Sequence, residues 1–360
     1  MKFLYITPEH VSGTLSLFKK EHERRGDECR FVTFWHSRYD FEDDICLNLP
    51  LMPNLGWVRG LRASLGRDPH RAFSPSADSL PVWNPGTLTK SFFRFRDFLN
   101  WPQIEDAVRQ HHLDEFDIIQ LDSGLDFTRD ARFAASCAQK GAHLLCFYHG
   151  SDLRCRGIIP EVDALVSLRL TSEWDLLEYD SRLEYLFLPF ETTAWPDREF
   201  SPRKPLKICH AARNPLKGTA YVIAAVEQLQ KEFDIELVLM TDLPHRLALQ
   251  VKSECDLFID QLTNEGGWGY GMSSVEALAM GLPVITNIPR QMETGISPHP
   301  FIQAEPGNLH EILRKTLQDT SRLNAVIKDG QTWVRERHDV VKVVDRLYSL
   351  YEREGWLTKK

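Results

Sequence analysis

The feature that most constrains the fold is an alternation of short apolar runs with helix-like patterns, which occurs twice along the chain. Continuous apolar runs predict buried strands, and apolar residues spaced three and four apart predict helices. Strands are predicted at 2–6, 29–34, 117–121, 144–148, 163–167 and 185–188, and again at 206–210, 236–240, 256–260 and 283–286. Strands of this kind form parallel sheets that helices cover on both faces. The sequence therefore predicts two Rossmann-like, doubly wound parallel-sheet domains.

A proline-rich stretch separates the two blocks of alternation. Residues 189–205 contain four prolines and few aliphatic side chains, which is typical of a linker. We expect an N-terminal domain at 1–190, a linker at 191–205 and a C-terminal domain at 206–338. A strongly periodic helix, at 339–360, is expected to pack back on the N-terminal domain. Residues 40–101 resist assignment because proline and glycine interrupt their pattern.

The composition argues against some partners and indicates a cellular compartment. The net charge of −8 argues against a nucleic-acid partner, which usually meets a basic face. The seven cysteines are scattered without a Cys-x-x-Cys pair, as in proteins of a reducing compartment. The first residues form a strand pattern rather than a signal peptide, and no apolar run is long enough to span a bilayer. We expect a cytoplasmic protein.

The strongest local motif is GGWGYGMSSVEALAMGLPVI at 266–285. Its glycines allow close approach of a ligand to the backbone, and the helix that begins near Met272 directs free amides at that ligand. Glu276 lies one turn inside this helix, where a carboxylate can accept hydrogen bonds from a sugar diol. An ordinary strand-to-helix turn, with Glu276 favoured by the helix dipole, is an equally weighted alternative.

Three further motifs follow predicted strands. HAARNPLKGT at 210–219 carries Arg213 and Lys217, which could neutralise a diphosphate without a metal. YHGSDLR at 148–154 carries His149, which could bond a hydroxyl or carry a proton, although a lone histidine is more often structural. Ser12-Gly13-Thr14 joins the first strand to the first helix. Ligands of doubly wound folds bind beyond the carboxyl ends of strands, which in two domains means the cleft they share.

Other chemistries lack their motifs. The sequence has no phosphate-binding P-loop, no Gly-x-Ser-x-Gly nucleophile elbow and no dinucleotide fingerprint. It also has no Asp-x-Asp pair, so the usual ligand for metal-dependent sugar transfer is missing. Neither a metal nor a separate cofactor is expected.

In these motifs the chain resembles the retaining glycosyltransferases of family 4 (glycosyl transferases group 1), which have the GT-B fold. The resemblance is most specific at 206–285, where the Lys-Gly helix start and the run EALAMGLPV match the family pattern. It implies catalytic roles for His149, Arg213 and Lys217, and donor-binding roles for Gly13, Asp260, Gly271, Met272, Ser273 and Glu276. Arg213 and Lys217 would bind the donor diphosphate, and Glu276 the ribose hydroxyls.

One position departs from the family. Trp268 stands where the family usually has a first glutamate, eight residues before Glu276, which helps to hold the donor sugar. Asp260 and Glu265 are the two nearby acids that could replace it, and we favour Asp260.

The resemblance implies transfer of a sugar from a nucleoside-diphosphate sugar to a hydroxyl of a glycan, a glycolipid or a small molecule, with retained anomeric configuration. A sugar-nucleotide epimerase and a non-catalytic nucleotide-sugar-binding protein are the alternatives. Two aromatic and arginine-rich stretches, 57–67 and 92–98, are candidates for peripheral contact with the inner membrane surface. Buried aromatics with arginines extending to solvent are an alternative of at least equal weight.

Overall fold

The computed structural model describes residues 1–52, 81–201, 203–211, 215–265 and 267–357. The chain divides into two compact units, one formed by Met1–Leu186 with Val344–Lys360 and the other by Phe187–Val343. Each unit contains one parallel sheet.

The first unit alternates strands and helices. Its elements are β1 (Lys2–Thr7), α1 (Thr14–Arg24), β2 (Glu28–Thr33), β3 (Ile45–Cys46), α2 (Thr87–His111), β4 (Ile118–Asp122), α3 (Arg132–Gln139), β5 (His143–Tyr148), α4 (Pro160–Asp163), β6 (Leu168–Thr171) and β7 (Leu183–Tyr185). The strand order is β3-β2-β1-β4-β5-β6-β7, and every pairing is parallel. The order reverses between β1 and β4, and ligands of such sheets bind at this switch point.

The second unit has the same construction with fewer strands. Its elements are β8 (Leu206–Ala211), α5 (Thr219–Leu229), β9 (Ile235–Met240), α6 (His245–Ser253), β10 (Leu257–Ile259), α7 (Met272–Ala279), β11 (Val284–Thr286), α8 (Arg290–Ile296), β12 (Ile302–Gln303), α9 (Leu309–Gln318) and α10 (Leu323–Arg337). The order is β12-β11-β10-β8-β9, again all parallel. Its switch point lies between β8 and β10.

Buried strands explain why the apolar runs predicted the sheets. In β1 and β4, Leu4, Ile6, Ile119 and Leu121 are fully buried in the core of the first unit. Full burial of both sheet faces removes the polar alternation that a solvent-exposed strand shows. The prediction of two doubly wound parallel sheets is confirmed. All seven cysteines are unpaired.

The strand predicted at 163–167 is wrong. Pro160 begins the short helix α4, and acidic residues in its first turn suit the positive end of a helix. The strand follows later, as β6, and includes the buried Arg169, whose guanidinium Nε lies 2.6 Å from an Asp163 carboxylate oxygen. Because β6 contains this charged residue, the search for continuous apolar runs did not find the strand.

The 25-residue helix α2 occupies part of the stretch that resisted assignment. Pro102 lies inside it, and proline normally ends a helix because it lacks an N–H donor. The aromatic residues of its first turns also obscure the helical period.

The last helix, α11 (Val340–Arg353), begins in the second unit, and from Val344 the chain belongs to the first. Phe190, which immediately precedes the predicted linker, belongs to the second unit and contacts its C-terminal end. The Phe190 amide donates to the His338 carbonyl (2.7 Å), and the Val340 amide donates to the Phe190 carbonyl (3.0 Å).

Candidate functional site

Lys217 and Asp260 form an ion pair at the switch point of the second sheet. Asp260 directly follows β10, and Lys217 comes shortly after β8, the neighbouring strand. The Lys217 ammonium lies 2.6 Å from an Asp260 carboxylate oxygen. An ammonium has three donor hydrogens, and Asp260 is its one acceptor in the described part of the chain. Among the described residues, its other two donors therefore have no acceptor, and the side chain is 20% exposed.

The Asp260 carboxylate also holds the start of helix α7. Its second oxygen accepts hydrogen bonds from the Ser274 hydroxyl (2.5 Å) and the Gly271 amide (3.3 Å). Burial alone would raise the pKa of this carboxyl group, but Lys217 and these two donors hold the pKa below its ordinary value. Asp260 is therefore an ionised anchor that fixes Lys217 next to the α7 N-terminus.

The N-terminus of α7 lies beside this ion pair, and its first amides have no acceptor within the helix. Gly271 is the N-cap residue, and its carbonyl already accepts from the amides of Ser274 and Val275. Met272 and Ser273 are the first two helical residues, and a helix provides no acceptor for its first amides. Such a helix end favours an anionic group.

Glu276 is buried, with a partner on each of its carboxylate oxygens. The Lys252 ammonium donates to one oxygen (2.5 Å), and the His245 imidazole lies 2.8 Å from the other. Burial acts to raise the pKa of Glu276, yet Lys252 and His245 lower it to about 2. A carboxylate has about four acceptor positions, so an ionised Glu276 can still accept from two hydroxyl groups.

The sequence did not point to Lys252 or His245. Lys252 is fully buried, and it also donates to the Ser273 carbonyl (3.0 Å). Both residues lie on α6, seven positions apart, which places them on one face of the helix. Lys252 is the one buried residue of α6, so the local pattern does not distinguish these two residues from solvated ones.

The two acids proposed to replace the missing glutamate differ in exposure. Asp260 is fully buried, and Glu265 is exposed. The contacts of Asp260 favour a positioning role, and its direct contact with a donor sugar stays a prediction. Trp268 is partly buried in the loop that precedes α7.

Charge balance limits what the lysines can do alone. Lys217 is neutralised by Asp260, and Lys252 is neutralised by Glu276. The attraction for a diphosphate then depends on the N-termini of α5 and α7 and on a further cation. The sequence predicts Arg213 in this role, but Arg213 lies outside the described residues.

His149 belongs to the first unit, whereas Lys217 and Glu276 belong to the second. It follows β5, and its Nε2 atom lies 3.6 Å from a carboxylate oxygen of Asp122, the last residue of β4. The His149 amide donates to the Asp152 carboxylate (2.9 Å), which fixes the backbone of the loop. Asp122 was not among the predicted site residues, although an acid that ends an apolar strand is a recognisable signal.

The acids around His149 change how it titrates. Burial lowers the pKa of this imidazole, but Asp122, Asp152 and Glu173 together raise it above the ordinary value. The pKa of Glu173 is itself raised, mainly by burial, although the Arg154 guanidinium lies 2.7 Å from its carboxylate. The carboxyl ends of β4, β5 and β6 thus carry titratable groups that can hold or move a proton.

We expect Asp122→Asn to lower the pKa of His149, because the variant removes the nearest negative charge. The raised pKa means that the pair contributes stability below the ordinary histidine pKa, and this is lost as the pH rises through the folded-state pKa. Titration of the His149 ring by NMR measures the shift. Asp43→Asn, a change elsewhere in the same unit, serves as the control. An unchanged His149 pKa in Asp122→Asn would contradict the coupling.

Gly13 lies after β1, at the switch point of the first sheet, and caps α1. Its φ of 72° is in the left-handed region, and a Cβ atom there would lie 2.8 Å from the Phe41 ring. Both observations require glycine for structural reasons, and contact with a donor stays a prediction.

One group of side chains within the described ranges could offer three metal ligands. His36, Asp43 and Cys46 place one ligand atom each within 4.8 Å of one another. His36 already bonds the Asp43 carboxylate (2.7 Å), which also accepts from the Thr33 hydroxyl (2.8 Å). These hydrogen bonds account for the arrangement.

Comparison with known proteins identifies the fold. No protein-family model and no curated protein matches the chain. Solved structures match over nearly the full length of both chains, and three of them illustrate the similarity. HepE from Anabaena, in complex with UDP and glucose, has 15% identity and a TM-score of 0.55, covering 98% of this chain and 100% of its own. A glycosyltransferase from Rickettsia africae has 11% identity and a TM-score of 0.56, and the match covers 98% of each chain. Sucrose-phosphate synthase from Thermosynechococcus elongatus has 13% identity and a TM-score of 0.57, and the match covers 99% of each chain.

The structural similarity over nearly the whole chain, at these low identities, establishes the fold alone. The chain has the GT-B fold, as its motifs predicted. HepE has also been solved with UDP-glucose, at 15% identity to this chain.

Proposed function

We propose that this protein is a glycosyltransferase that moves a sugar from a nucleoside-diphosphate sugar to an acceptor hydroxyl, with retained anomeric configuration and without a metal or another cofactor. One observation carries the proposal: an anchored lysine stands beside a helix N-terminus, and an ionised carboxylate lies one turn inside that helix. The GT-B fold, which is shared with a protein solved with UDP-glucose, supports the same reading.

The donor half of the reaction belongs to the second unit. Lys217, Arg213 and the amides of Met272 and Ser273 would hold the diphosphate, and Glu276 would accept from the ribose hydroxyls. As the glycosidic bond breaks, negative charge gathers on the departing diphosphate. Donors fixed in advance stabilise that charge without reorganisation, and each key donor is typically worth roughly 3–4 kcal/mol.

In the first unit, we propose that His149 contacts the transferred sugar. Its imidazole is 30% exposed and is held beside Asp122, so it can bond a sugar hydroxyl or accept a proton from one. We further propose that the acceptor is a glycan, a lipid-linked sugar or a small molecule, as in polysaccharide biosynthesis. A cytoplasmic location fits seven unpaired cysteines.

A sugar-nucleotide epimerase is the second candidate. Such an enzyme needs an acid/base carboxylate in addition to the donor-binding groups. One observation favours it: burial raises the pKa of Glu173, as is common for carboxyl groups that act as acids or bases. The Arg154 ion pair at 2.7 Å opposes it, because Arg154 stabilises the charged form of Glu173.

Incubation with a panel of nucleotide sugars separates the candidates. Thermal shift with UDP, GDP and ADP first identifies the base, since a ligand that binds the folded state raises apparent stability. The corresponding sugars are then incubated with the protein, and the products are identified by NMR. We expect a glycoside with the donor's anomeric configuration, or slow donor hydrolysis when no acceptor is added. An epimer would support the second candidate, binding without turnover would indicate a sensor, and no binding at all would contradict the proposal.

A further inference from the structure

The first turns of helix α2 expose an unusual number of large apolar side chains. Leu88, Phe95 and Phe98 are 87%, 57% and 72% exposed, and Phe92 and Leu99 are also exposed. These five are among the eleven exposed large hydrophobic residues of the described chain, yet they lie within twelve consecutive positions. Single exposed apolar residues are ordinary, whereas a contiguous group marks an interaction surface.

The spacing places these side chains together. Leu88, Phe92, Phe95 and Leu99 recur at intervals of four, three and four residues, which is one face of a helix, and Phe98 lies beside them. We call these five residues the aromatic face.

The opposite side of the same turns is anchored in the first unit. Arg96 and Asp97 are buried and ion-paired, and the second Asp97 oxygen accepts from the Arg129 amide (2.7 Å). The Arg96 guanidinium lies 4.7 Å from the centre of the Phe93 ring. These buried contacts fix the orientation of the helix, and the aromatic face therefore points to solvent.

The exposed charged side chains from Gly86 to Asn100 are positive. Lys90 and Arg94 are exposed, whereas Asp97, the one acid in this stretch, is buried against Arg96, and the exposed acids Glu105 and Asp106 follow in the next turns of α2. This is a local cationic surface on a chain whose net charge is −8. Apolar and aromatic side chains with flanking cations form the pattern of a helix that lies in the headgroup region of an anionic bilayer.

We propose that the aromatic face docks this protein on an anionic lipid surface. None of the helices in the described ranges is long and apolar enough to cross a bilayer, so the contact is peripheral. Phe95 and Phe98 enter the interface between headgroups and acyl chains, while Lys90 and Arg94 pair with lipid phosphates. This inference is independent of the proposed transferase reaction.

Vesicle co-sedimentation tests the proposal on the full-length protein. We expect the protein to pellet with vesicles that contain phosphatidylglycerol and much less with phosphatidylcholine alone. The variant Phe95→Ser/Phe98→Ser should bind at least about tenfold more weakly, because burying each phenylalanine contributes on the order of tenfold in affinity. The variant Lys90→Glu/Arg94→Glu should lose the preference for the anionic lipid.

Leu247→Ser is the matched control, since Leu247 is an exposed apolar residue of a helix in the second unit. It should pellet like the wild type. Circular dichroism checks that the variants fold, because the substituted side chains are exposed. Failure of the wild type to bind phosphatidylglycerol vesicles, or full binding by Phe95→Ser/Phe98→Ser, would overturn the proposal. So would a dimer in light scattering that this variant dissociates, since the occupant would then be a second copy.

Discussion

The Lys217→Ala variant is expected to transfer sugar at roughly one hundredth of the wild-type rate or less, because it removes a positioned donor that stabilises the leaving diphosphate. Initial rates of nucleoside-diphosphate release, measured at saturating donor, report the loss. Lys231→Ala, which changes an exposed lysine of the same unit, should retain wild-type activity. Near-normal turnover in Lys217→Ala would remove Lys217 from the site.

A second variant separates this catalytic loss from a folding defect. Lys217→Ala leaves the fully buried Asp260 charge without its ion-pair partner, and an unpaired buried charge is destabilising. Lys217→Met/Asp260→Asn removes both charges and should unfold at a higher temperature than the single variant. Its transfer rate should nevertheless stay low, because the ammonium is still missing. Recovery of activity together with stability would indicate that Lys217 acts on folding alone.

The Lys252→Met variant is expected to lose about 3–5 kcal/mol in its free energy of unfolding, the usual cost of stranding one member of a buried ion pair. Lys252 and Glu276 are 2% and 7% exposed, so solvent cannot replace the lost contact. Denaturant unfolding at neutral pH measures the change. Lys252→Met/Glu276→Gln removes both charges and should recover most of the lost stability.

The pH dependence of this effect follows from the lowered pKa of Glu276. A carboxyl group whose folded-state pKa is depressed contributes stability above its unfolded value, and this is lost as the pH falls through the folded value, here about 2. The difference between wild type and Lys252→Met should therefore shrink as the pH falls below the ordinary glutamate range. A difference that does not change with pH would contradict the role assigned to the pair.

Activity distinguishes the two functions of Glu276. Glu276→Ala is expected to lower transfer by roughly two orders of magnitude or more, because it removes a preorganised contact to the donor. Lys252→Met/Glu276→Gln should remain similarly slow even though its stability is recovered. Wild-type rates in both variants would show that Glu276 has only a structural role.

The parts of this structure that depend on local pattern could be predicted from the sequence. Continuous apolar runs such as residues 144–148 gave the parallel sheets, because burial on both faces leaves a strand with no polar side. The glycine-rich segment before Met272 also predicted the start of a helix. The conformation of a helix N-terminus and its first amides are determined by residues close in sequence.

Features that depend on distant contacts could not be predicted. Lys252 meets Glu276 across 24 positions of sequence, and Asp260 meets Lys217 across 43. Nothing local distinguishes these lysines from solvated ones. The strand β6 was misplaced for a different reason: its Arg169 is a charged residue buried against Asp163, six positions earlier, and an apolar pattern does not reveal such a pair.

The departure at Trp268 now has a physical context. The acid favoured as a substitute, Asp260, is occupied by Lys217, Ser274 and Gly271. In the proposed reaction, selection of the sugar would therefore depend on groups other than a freely available carboxylate at this position, whereas the groups proposed to bind phosphate and ribose lie in and around the first turns of α7.

A crystal structure of the protein with the nucleoside diphosphate that gives the largest thermal shift tests the central claim most directly. We predict that the diphosphate contacts the Lys217 ammonium and the amides of Met272 and Ser273, and that the ribose hydroxyls donate to Glu276. A nucleotide bound away from the N-terminus of α7, with Glu276 contacting only Lys252 and His245, would contradict it.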